Sequence, residues 1–482
     1  MSTQPVAVAK NTTYLTAAYI IQKVFSFLYF ILIARGIGVE DIGKYVFALS
    51  FTTIFGVFID LGFSPVLTRE AAKDWGRARD LLNNIIGVKM ILAVLTYGAV
   101  LLVISSTGKE LLVRQLVSIS AIIMVLDSFY LSFYAVLRAA HNLRYEAIGM
   151  IVGQILILLF GVAALSLGLS LHWLIGSILA GSAFNFFYAF WLLEYKIKLR
   201  LRPQLDWPLL KSIFLMAAPF AIAGIFARVY SSIDSVLLST LAGDSAVGWY
   251  SAGYKITFAL QFVPLAFAAA LFPAMSKYFV SDRTQLARLF EKAMYYLMLI
   301  ALPVTLGVFV LAREFIVTMY GLDFAPTALA LQILIFSLVF NFLGFPIGSL
   351  LNACGQQTQN TINMGITMVI NVILNLILIP LLGQQAYLGA AAAALVSQII
   401  LFSLGLYFVG QVTAYNQRWL LLGAAKVLCS SLLMSLVIVV LKPYVYFLAL
   451  VPVGGLMYLV SLYALRGISK TEVVELYQSF KK

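Results

Sequence analysis

The chain has 482 residues, of which 62% are hydrophobic and 11% are charged, and its mean hydropathy is +1.00. No water-soluble fold has enough interior to hide so much apolar surface, so these values exclude a soluble globular protein. The formal charge of +13 does not indicate a nucleic-acid partner, because the basic residues stand in short connections between apolar segments, as they do on cytoplasmic membrane faces.

Apolar segments follow one another along the whole chain. Crossing a hydrocarbon core of about 30 Å takes about 20 helical residues, and continuously apolar runs favour helices over a barrel. The sequence therefore predicts an all-α integral membrane protein with about fourteen transmembrane helices. The predicted spans cover residues 14–34, 45–67, 85–105, 116–137, 147–167, 174–193, 213–238, 247–272, 293–311, 329–351, 362–382, 388–408, 420–441 and 445–465.

Lysine and arginine are distributed unevenly between the two sides of these spans. Assigning the connections alternately to the two sides places 21 of them on the side that holds both chain ends and 6 on the other. Short basic connections mark the cytoplasmic side of a membrane protein. We therefore expect a multi-pass protein of the cytoplasmic membrane with its N- and C-termini in the cytoplasm.

A motif of two glycines and a tyrosine recurs at an offset of 205 positions. Gly38, Gly43 and Tyr45 return as Gly243, Gly248 and Tyr250. The offset corresponds to six spans, and because six is even, the two copies share one orientation in the membrane. This predicts an N-terminal lobe over 1–205, a C-terminal lobe over 206–412, and a final segment, 413–482, with the last two spans and a cytoplasmic tail. The basic segment 195–211, with its two prolines, is predicted to be an extended connection between the lobes.

The sequence contains no signature of an enzyme. No phosphate-cradling glycine-rich loop is followed by Lys and Ser or Thr, and the connections are too short for a catalytic domain. We expect no catalytic residues and no cofactor, so that transport energy comes from a gradient. The two cysteines and two histidines lack metal-binding spacing, and no metal site is predicted.

Basic residues inside the spans are the main candidates for a binding site. Lys23 lies near the middle of the first span and Arg228 near the middle of the seventh, again 205 positions apart. A charge at this depth costs about 3 kcal/mol or more unless water or a partner compensates it. Two such cations facing one cavity would bind an anion, with Arg35 and Lys255 as further substrate-binding candidates. Alternatively, each cation pairs with an acid of its own lobe and closes helix contacts.

Acidic residues inside the spans are candidates for ion coupling or for charge pairs. Asp127 lies mid-span, and Tyr130, Tyr134 and Arg138 continue its helix face, so it either carries protons or neutralises Lys23.

Two further acids are weaker candidates for the same roles. Asp234 follows Arg228 by six positions and faces elsewhere, while Asp60 lies nearer the cytoplasmic end of its span. Lys89 is expected to snorkel to the inner interface. A polar stripe at i, i+4 spacing predicts interhelical hydrogen bonds along the eleventh span. It consists of Asn363, Thr367, Asn371 and Asn375.

Three stretches of the sequence resemble the polysaccharide biosynthesis (O-antigen and oligosaccharide) flippases. Residues 33–45, IARGIGVEDIGKY, resemble the first signature of that family, and Asp60-Leu61-Gly62 with Arg69 resembles another segment. So does Ile233-Asp234-Ser235 leading to residues 247–252, VGWYSA. The resemblance implies the multidrug, oligosaccharidyl-lipid and polysaccharide exporter superfamily. Its members have two six-helix lobes around a central cavity, often with two additional C-terminal helices.

The family resemblance also implies a function. It is the translocation of a polyprenyl-pyrophosphate-linked oligosaccharide from the cytoplasmic to the outer leaflet, by alternating access around a cationic central cavity. Lys23 and Arg228 are where this sequence offers cations for the pyrophosphate. The implied partners are this substrate, membrane lipids, and a glycan polymerase or glycosyltransferases. Two alternatives remain: a cation-coupled multidrug exporter of the same superfamily, with acids in its cavity, and a transport-inactive scaffold for glycan assembly.

Overall fold

The computed structural model describes residues 5–467, which are almost entirely helical and contain no strand. The helices are α1 (Pro5–Phe55), α2 (Val57–Asp60), α3 (Phe63–Lys73), α4 (Ala78–Ser106), α5 (Leu111–Ala139), α6 (Leu143–Ser166), α7 (Leu171–Trp191), α8 (Trp207–Leu241), α9 (Asp244–Ala259), α10 (Phe262–Ser281), α11 (Arg283–Val310), α12 (Ala312–Tyr320), α13 (Thr327–Ala353), α14 (Gln357–Leu382), α15 (Ala386–Val412), α16 (Gln417–Leu441) and α17 (Phe447–Ala464).

Long apolar helices confirm the predicted all-α membrane fold. Among the described residues, 11 segments are long and apolar enough to cross a bilayer. Two of them, Tyr14–Asp60 and Gln357–Val412, have 47 and 56 residues, about twice the length of one span, and each is broken at a glycine. The pair α9 and α10 covers the eighth predicted span. With these additions, the helices agree with about fourteen spans.

The connection predicted between the first two spans is reduced to one residue. The two helices that make up α1 meet at a kink at Gly38, whose φ of 82° and ψ of 180° are non-helical, a conformation that glycine adopts without steric cost. Its counterpart in the repeat, Gly243, has φ 89° between α8 and α9. The first glycine of the motif therefore interrupts the helical backbone with a positive φ in both copies.

The second glycine of each copy allows two helices to touch through their backbones. A Cβ atom on Gly43 would lie 1.8 Å from the carbonyl oxygen of Asp244, and one on Gly248 would lie 2.1 Å from that of Val39. Real Cβ atoms do not come this close to backbone, so only glycine fits at either position. The two copies of the motif thus pack directly on each other.

The described contacts form two compact units. The first unit comprises residues up to Ser251 together with Val372–Ala390, and the second comprises Ala252–Asn371 and the chain from Ala391 onward. In the first unit, α1 packs on α5, α6 and α8, while α7 packs on α5 and α6. In the second, α11 packs on α13 and α16, and α16 packs on α17. The division into lobes 1–205 and 206–412 stays a prediction.

The segment before α8 is fixed to α4 by hydrogen bonds. The Asn83 side-chain oxygen accepts from the backbone N–H of Arg202 at 3.0 Å, and that of Asn84 accepts from Asp206 at 2.6 Å. The Asn83 carbonyl accepts from Gln204 at 3.1 Å. Only residues 198–206 of the predicted connection 195–211 lie outside helices, because 195–197 end a π-helical turn and 207–211 begin α8. Two buried asparagines fix the path of this non-helical part.

The polar stripe on α14 makes the predicted interhelical hydrogen bonds. The Asn363 side-chain amide donates to the carbonyl of Leu401 on α15 at 3.1 Å. The Asn375 amide donates to the Asp234 carboxylate on α8 at 2.7 Å. All four residues of the stripe are buried, so this face packs within the protein.

Candidate functional site

A cavity of about 330 Å³ lies within the first unit, among α1, α2, α5, α7 and α8. Its wall combines apolar side chains with hydroxyl groups, two carboxyl groups and one guanidinium group. The lining residues are Leu49, Thr52, Thr53, Gly56, Asp60, Ser120, Ile123, Met124, Asp127, Ser128, Leu131, Ile178 and Arg228.

Arg228 is the one basic residue among those that line this cavity. It projects from α8 and is half-buried, and its guanidinium lies beside Gly56, where a Cβ atom would be 3.4 Å from one of the terminal nitrogens. The guanidinium also interacts electrostatically with Asp60 and Asp127. One predicted substrate-binding cation and two predicted acidic residues therefore line the same cavity.

Asp60 forms a buried ion pair with Lys89 of α4. The Lys89 ammonium lies 2.5 Å from the Asp60 carboxylate and also donates to the Ser128 carbonyl at 2.8 Å and to the Ser132 hydroxyl at 2.6 Å. Lys89 is 0% exposed, so the prediction that it snorkels to the interface is wrong. Its three N–H groups find acceptors inside the bundle, and these replace the water that snorkelling would reach.

Asp127 faces the cavity from α5. The hydroxyl groups of Tyr130 and Ser182 lie within hydrogen-bonding range of its carboxyl group. One carboxyl oxygen, Oδ1, is buried and has no hydrogen-bond partner. Asp127 thus lines the cavity and has one carboxyl oxygen that makes no hydrogen bond.

The polar face that starts at Asp127 continues along α5 into contacts with α6 and α7. The Tyr134 hydroxyl donates to the Asn185 side-chain oxygen at 2.6 Å, and Arg138 Nε lies 3.5 Å from Glu146 Oε2. Glu146 is 2% exposed and was missed by the sequence reasoning. The available signal is its place in the first turn of α6, directly after the short turn that follows Arg138.

Asp234 lies on another face of α8 from Arg228, as its six-residue spacing predicts. Its carboxylate accepts from the Tyr250 hydroxyl at 2.5 Å and from the Asn375 amide at 2.7 Å. The carboxylate therefore joins α8, α9 and α14 and is not among the residues that line the cavity.

The structure does not place the other predicted cations in this cavity. Lys23 is half-buried on α1 but is not among the lining residues. Arg35 is exposed, three residues before the break at Gly38. Lys255 is half-buried and belongs to the second unit. Of the seven predicted site residues, the structure brings together Arg228, Asp127 and Asp60.

Two protein families match the chain. Residues 8–279 match the family described as polysaccharide biosynthesis protein, and residues 219–377 match MatE. The capsular polysaccharide biosynthesis protein CapF of Staphylococcus aureus is 22% identical over 407 residues, which are 84% of this chain and 99% of that protein. The probable flippase AglR of Haloferax volcanii is 25% identical over 176 residues, 36% of each protein.

Solved structures with the same fold are transporters. The lipid II flippase MurJ in an inward closed conformation aligns with a TM-score of 0.74 at 16% identity, over 93% of this chain and 97% of that one. An inward-facing multidrug resistance MATE transporter aligns with a TM-score of 0.66 at 17% identity, over 81% of this chain and 95% of that one. These likenesses show a shared fold. Together with the family match over more than half of the sequence, they show that the chain belongs to the polysaccharide biosynthesis protein family, the flippases of the multidrug, oligosaccharidyl-lipid and polysaccharide exporter superfamily.

Proposed function

We propose that the protein is a flippase that moves a polyprenyl-pyrophosphate-linked oligosaccharide from the cytoplasmic to the outer leaflet. The observation that carries the proposal is Arg228, a guanidinium on a membrane-spanning helix that faces a polar cavity. Guanidinium binds phosphate oxygens through two parallel hydrogen bonds, and a water-poor site strengthens that attraction. The pyrophosphate linkage is the part of the substrate that such a group would bind.

The size of the cavity limits what it holds at one time. Its volume of about 330 Å³ is at the lower end of the range for small-ligand pockets, about 300–1,000 Å³. It therefore fits a pyrophosphate with one sugar, and a longer glycan needs a wider opening. Hydroxyl groups of Thr53 and Ser128 on its wall supply hydrogen bonds of the kind that sugar hydroxyls accept and donate.

Translocation in this proposal proceeds by alternating access, in which two lobes, 1–205 and 206–412, rock about the site. Lys23, Arg35 and Lys255 are proposed as further contacts for the anionic headgroup along the route. The protein acts in the cytoplasmic membrane with both termini in the cytoplasm. It moves its substrate without breaking a bond, and glycosyltransferases or a polymerase act before and after it.

A flipping assay tests the role of the cations. Purified protein is reconstituted in vesicles with undecaprenyl-pyrophosphate-linked N-acetylglucosamine that carries a nitrobenzoxadiazole fluorophore, which external dithionite bleaches in the outer leaflet. Loss of a buried charged partner costs about 2–5 kcal/mol, so Arg228→Gln should slow flipping at least tenfold. Lys23→Gln should also slow it, whereas Arg79→Gln, at an exposed position, should not. If both Arg228→Gln and Lys23→Gln flip the probe at the wild-type rate, the proposed anion site is wrong.

A cation-coupled multidrug exporter is the second candidate function. Asp60 and Asp127 line the cavity, and carboxylates suit a cationic drug. Asp60 is already paired with Lys89, whereas Asp127 Oδ1 makes no hydrogen bond within the described residues, so Asp127 is the acid that would contact such a ligand. Susceptibility to cationic dyes in cells with and without the protein separates the two functions: a flippase leaves it unchanged, and an exporter lowers it.

A further inference from the structure

Charged and apolar side chains alternate along the connection between α7 and α8. Residues 196–202 have the sequence KIKLRLR. Ile197, Leu199 and Leu201 pack against the apolar core of the first unit, whereas the lysines and arginines between them are exposed. The segment 196–206, which we call the basic strap, therefore presents a row of cations on its outward face.

The backbone of the basic strap is fixed to α4. Its N–H groups at 202, 204 and 206 donate to the buried residues Asn83 and Asn84. A Cβ atom on Gly87 would lie 2.2 Å from the carbonyl oxygen of Gln204, so the strap also packs closely on α4 at this glycine. The fold therefore sets the backbone positions of the outward cations before any ligand binds, which lowers the entropic cost of binding.

Three of the outward cations form no ion pair within the part of the chain that the structure describes. They are Lys198, Arg200 and Arg202. Of the two acids that flank them, Glu194 accepts from a backbone N–H of the strap at 2.5 Å, and Asp206 is exposed. The row of cations is thus available to an anion from outside the protein.

Aromatic side chains indicate that the basic strap lies at the level of the lipid headgroups. Tyr195 and Trp207 flank the strap and are each 71% exposed, and Trp191 at the end of α7 is also exposed. Tyrosine and tryptophan concentrate at the interface between membrane and water. The helical segments that the strap connects, Leu171–Ile197 and Trp207–Leu241, are both long and apolar enough to cross a bilayer. The anions present at this level are the phosphate groups of lipids.

We propose that the basic strap is a binding site for the phosphate groups of anionic phospholipids. Guanidinium groups bind phosphate oxygens through two parallel hydrogen bonds, and the lysine ammonium adds a further charge. Each basic residue near an anionic membrane surface strengthens binding about fivefold. The strap is not among the residues that line the cavity, so the proposal does not depend on which substrate the protein transports.

Native mass spectrometry of the full-length protein in detergent tests the site. The probes are dioleoylphosphatidylglycerol, which is anionic, and dioleoylphosphatidylcholine, which has no net charge. Wild-type protein should bind its first phosphatidylglycerol at least about tenfold more tightly than phosphatidylcholine. A triple variant should bind the two lipids equally, because three cations of the outward face are lost. It carries Lys198→Gln, Arg200→Gln and Arg202→Gln.

The matched control removes the same charge from exposed positions of α10 and α11 and should keep the wild-type preference. It carries Lys277→Gln, Arg288→Gln and Lys292→Gln. Both triple variants should melt at the wild-type temperature, because all six positions are exposed.

Three results would overturn the proposal. If the control loses the preference for phosphatidylglycerol as fully as the strap variant does, the lipid responds to overall charge and the strap is not a site. If wild-type protein binds the two lipids equally, the outward cations are left for another partner, such as an acidic protein surface. If inorganic phosphate displaces phosphatidylglycerol at equal concentration, the strap binds free phosphate and not a lipid.

Discussion

At the scale of single residues, the main feature of the structure is how its buried charges are compensated. Lys89 and Asp60 stand 29 positions apart in the sequence and meet inside the helix bundle at 2.5 Å. Such a pair adds little net stability over apolar residues, yet removal of one partner leaves an uncompensated buried charge, which costs about 3–5 kcal/mol. The pair therefore shapes the wall of the cavity more than it stabilises the fold.

Lys89→Met should lower the melting temperature of the detergent-purified protein markedly, because Asp60 then keeps a buried charge without its hydrogen-bonded cation. Adding Asp60→Asn to Lys89→Met should restore most of the loss. Lys73→Met is the matched control, since Lys73 is exposed and pairs with Glu70 at the surface, where an ion pair contributes little stability. Equal melting temperatures for Lys89→Met and Lys73→Met would show that the pair is not buried as described.

The sequence alone could predict how deep in the membrane these charged residues lie, but not which residues they pair with. Helical spacing placed Asp127 on one face with two tyrosines, and the structure retains that row. Neither Lys89 nor Glu146 could be matched with its partner, because Asp60 and Arg138 lie on other helices and no periodicity connects them. Depth follows from hydropathy along one helix, whereas pairing depends on how separate helices pack.

At the scale of helices, the repeated glycine motif has two structural roles. Gly38 and Gly243 interrupt the helical backbone with a positive φ, and Gly43 and Gly248 allow the close contact between helices. The sequence showed the repeat but not its contact. It also predicted a connection of several residues where the structure has a kink at Gly38, since hydropathy detects the end of an apolar run and does not detect how few residues a helix break needs.

Gly43→Ala and Gly248→Ala should each destabilise the protein and impair flipping. Each methyl group would meet a backbone carbonyl at about 2 Å, and overpacking of this kind typically costs about 1–3 kcal/mol. Gly98→Ala is the control, because a Cβ there has no atom within 4 Å and alanine favours the helix. Thermal melting compares the three variants, and a Gly43→Ala protein as stable as the control would contradict the contact.

At the scale of the whole molecule, the proposed direction of transport depends on the orientation of the protein in the membrane. The distribution of lysine and arginine predicts that the connection after α3 is cytoplasmic and that the one after α4 is external. In a background with Cys354→Ala and Cys429→Ala, Lys73→Cys should resist a membrane-impermeant maleimide in intact cells. Lys109→Cys would lose the bond to Asp244, so Ser106→Cys, exposed at the same end of α4, should be labelled instead. The opposite labelling pattern would reverse the proposed direction of transport.

The claim that the protein is a flippase is tested most directly by wild-type protein in sealed vesicles with the fluorescent undecaprenyl-pyrophosphate-linked sugar. Dithionite bleaches only the outer leaflet, so empty vesicles should lose about half of their fluorescence, the share exposed on one side of the bilayer. Vesicles that contain the protein should continue to lose fluorescence beyond that level, as inner-leaflet probe crosses to the outer leaflet. Bleaching that stops at the level of empty vesicles would contradict that claim.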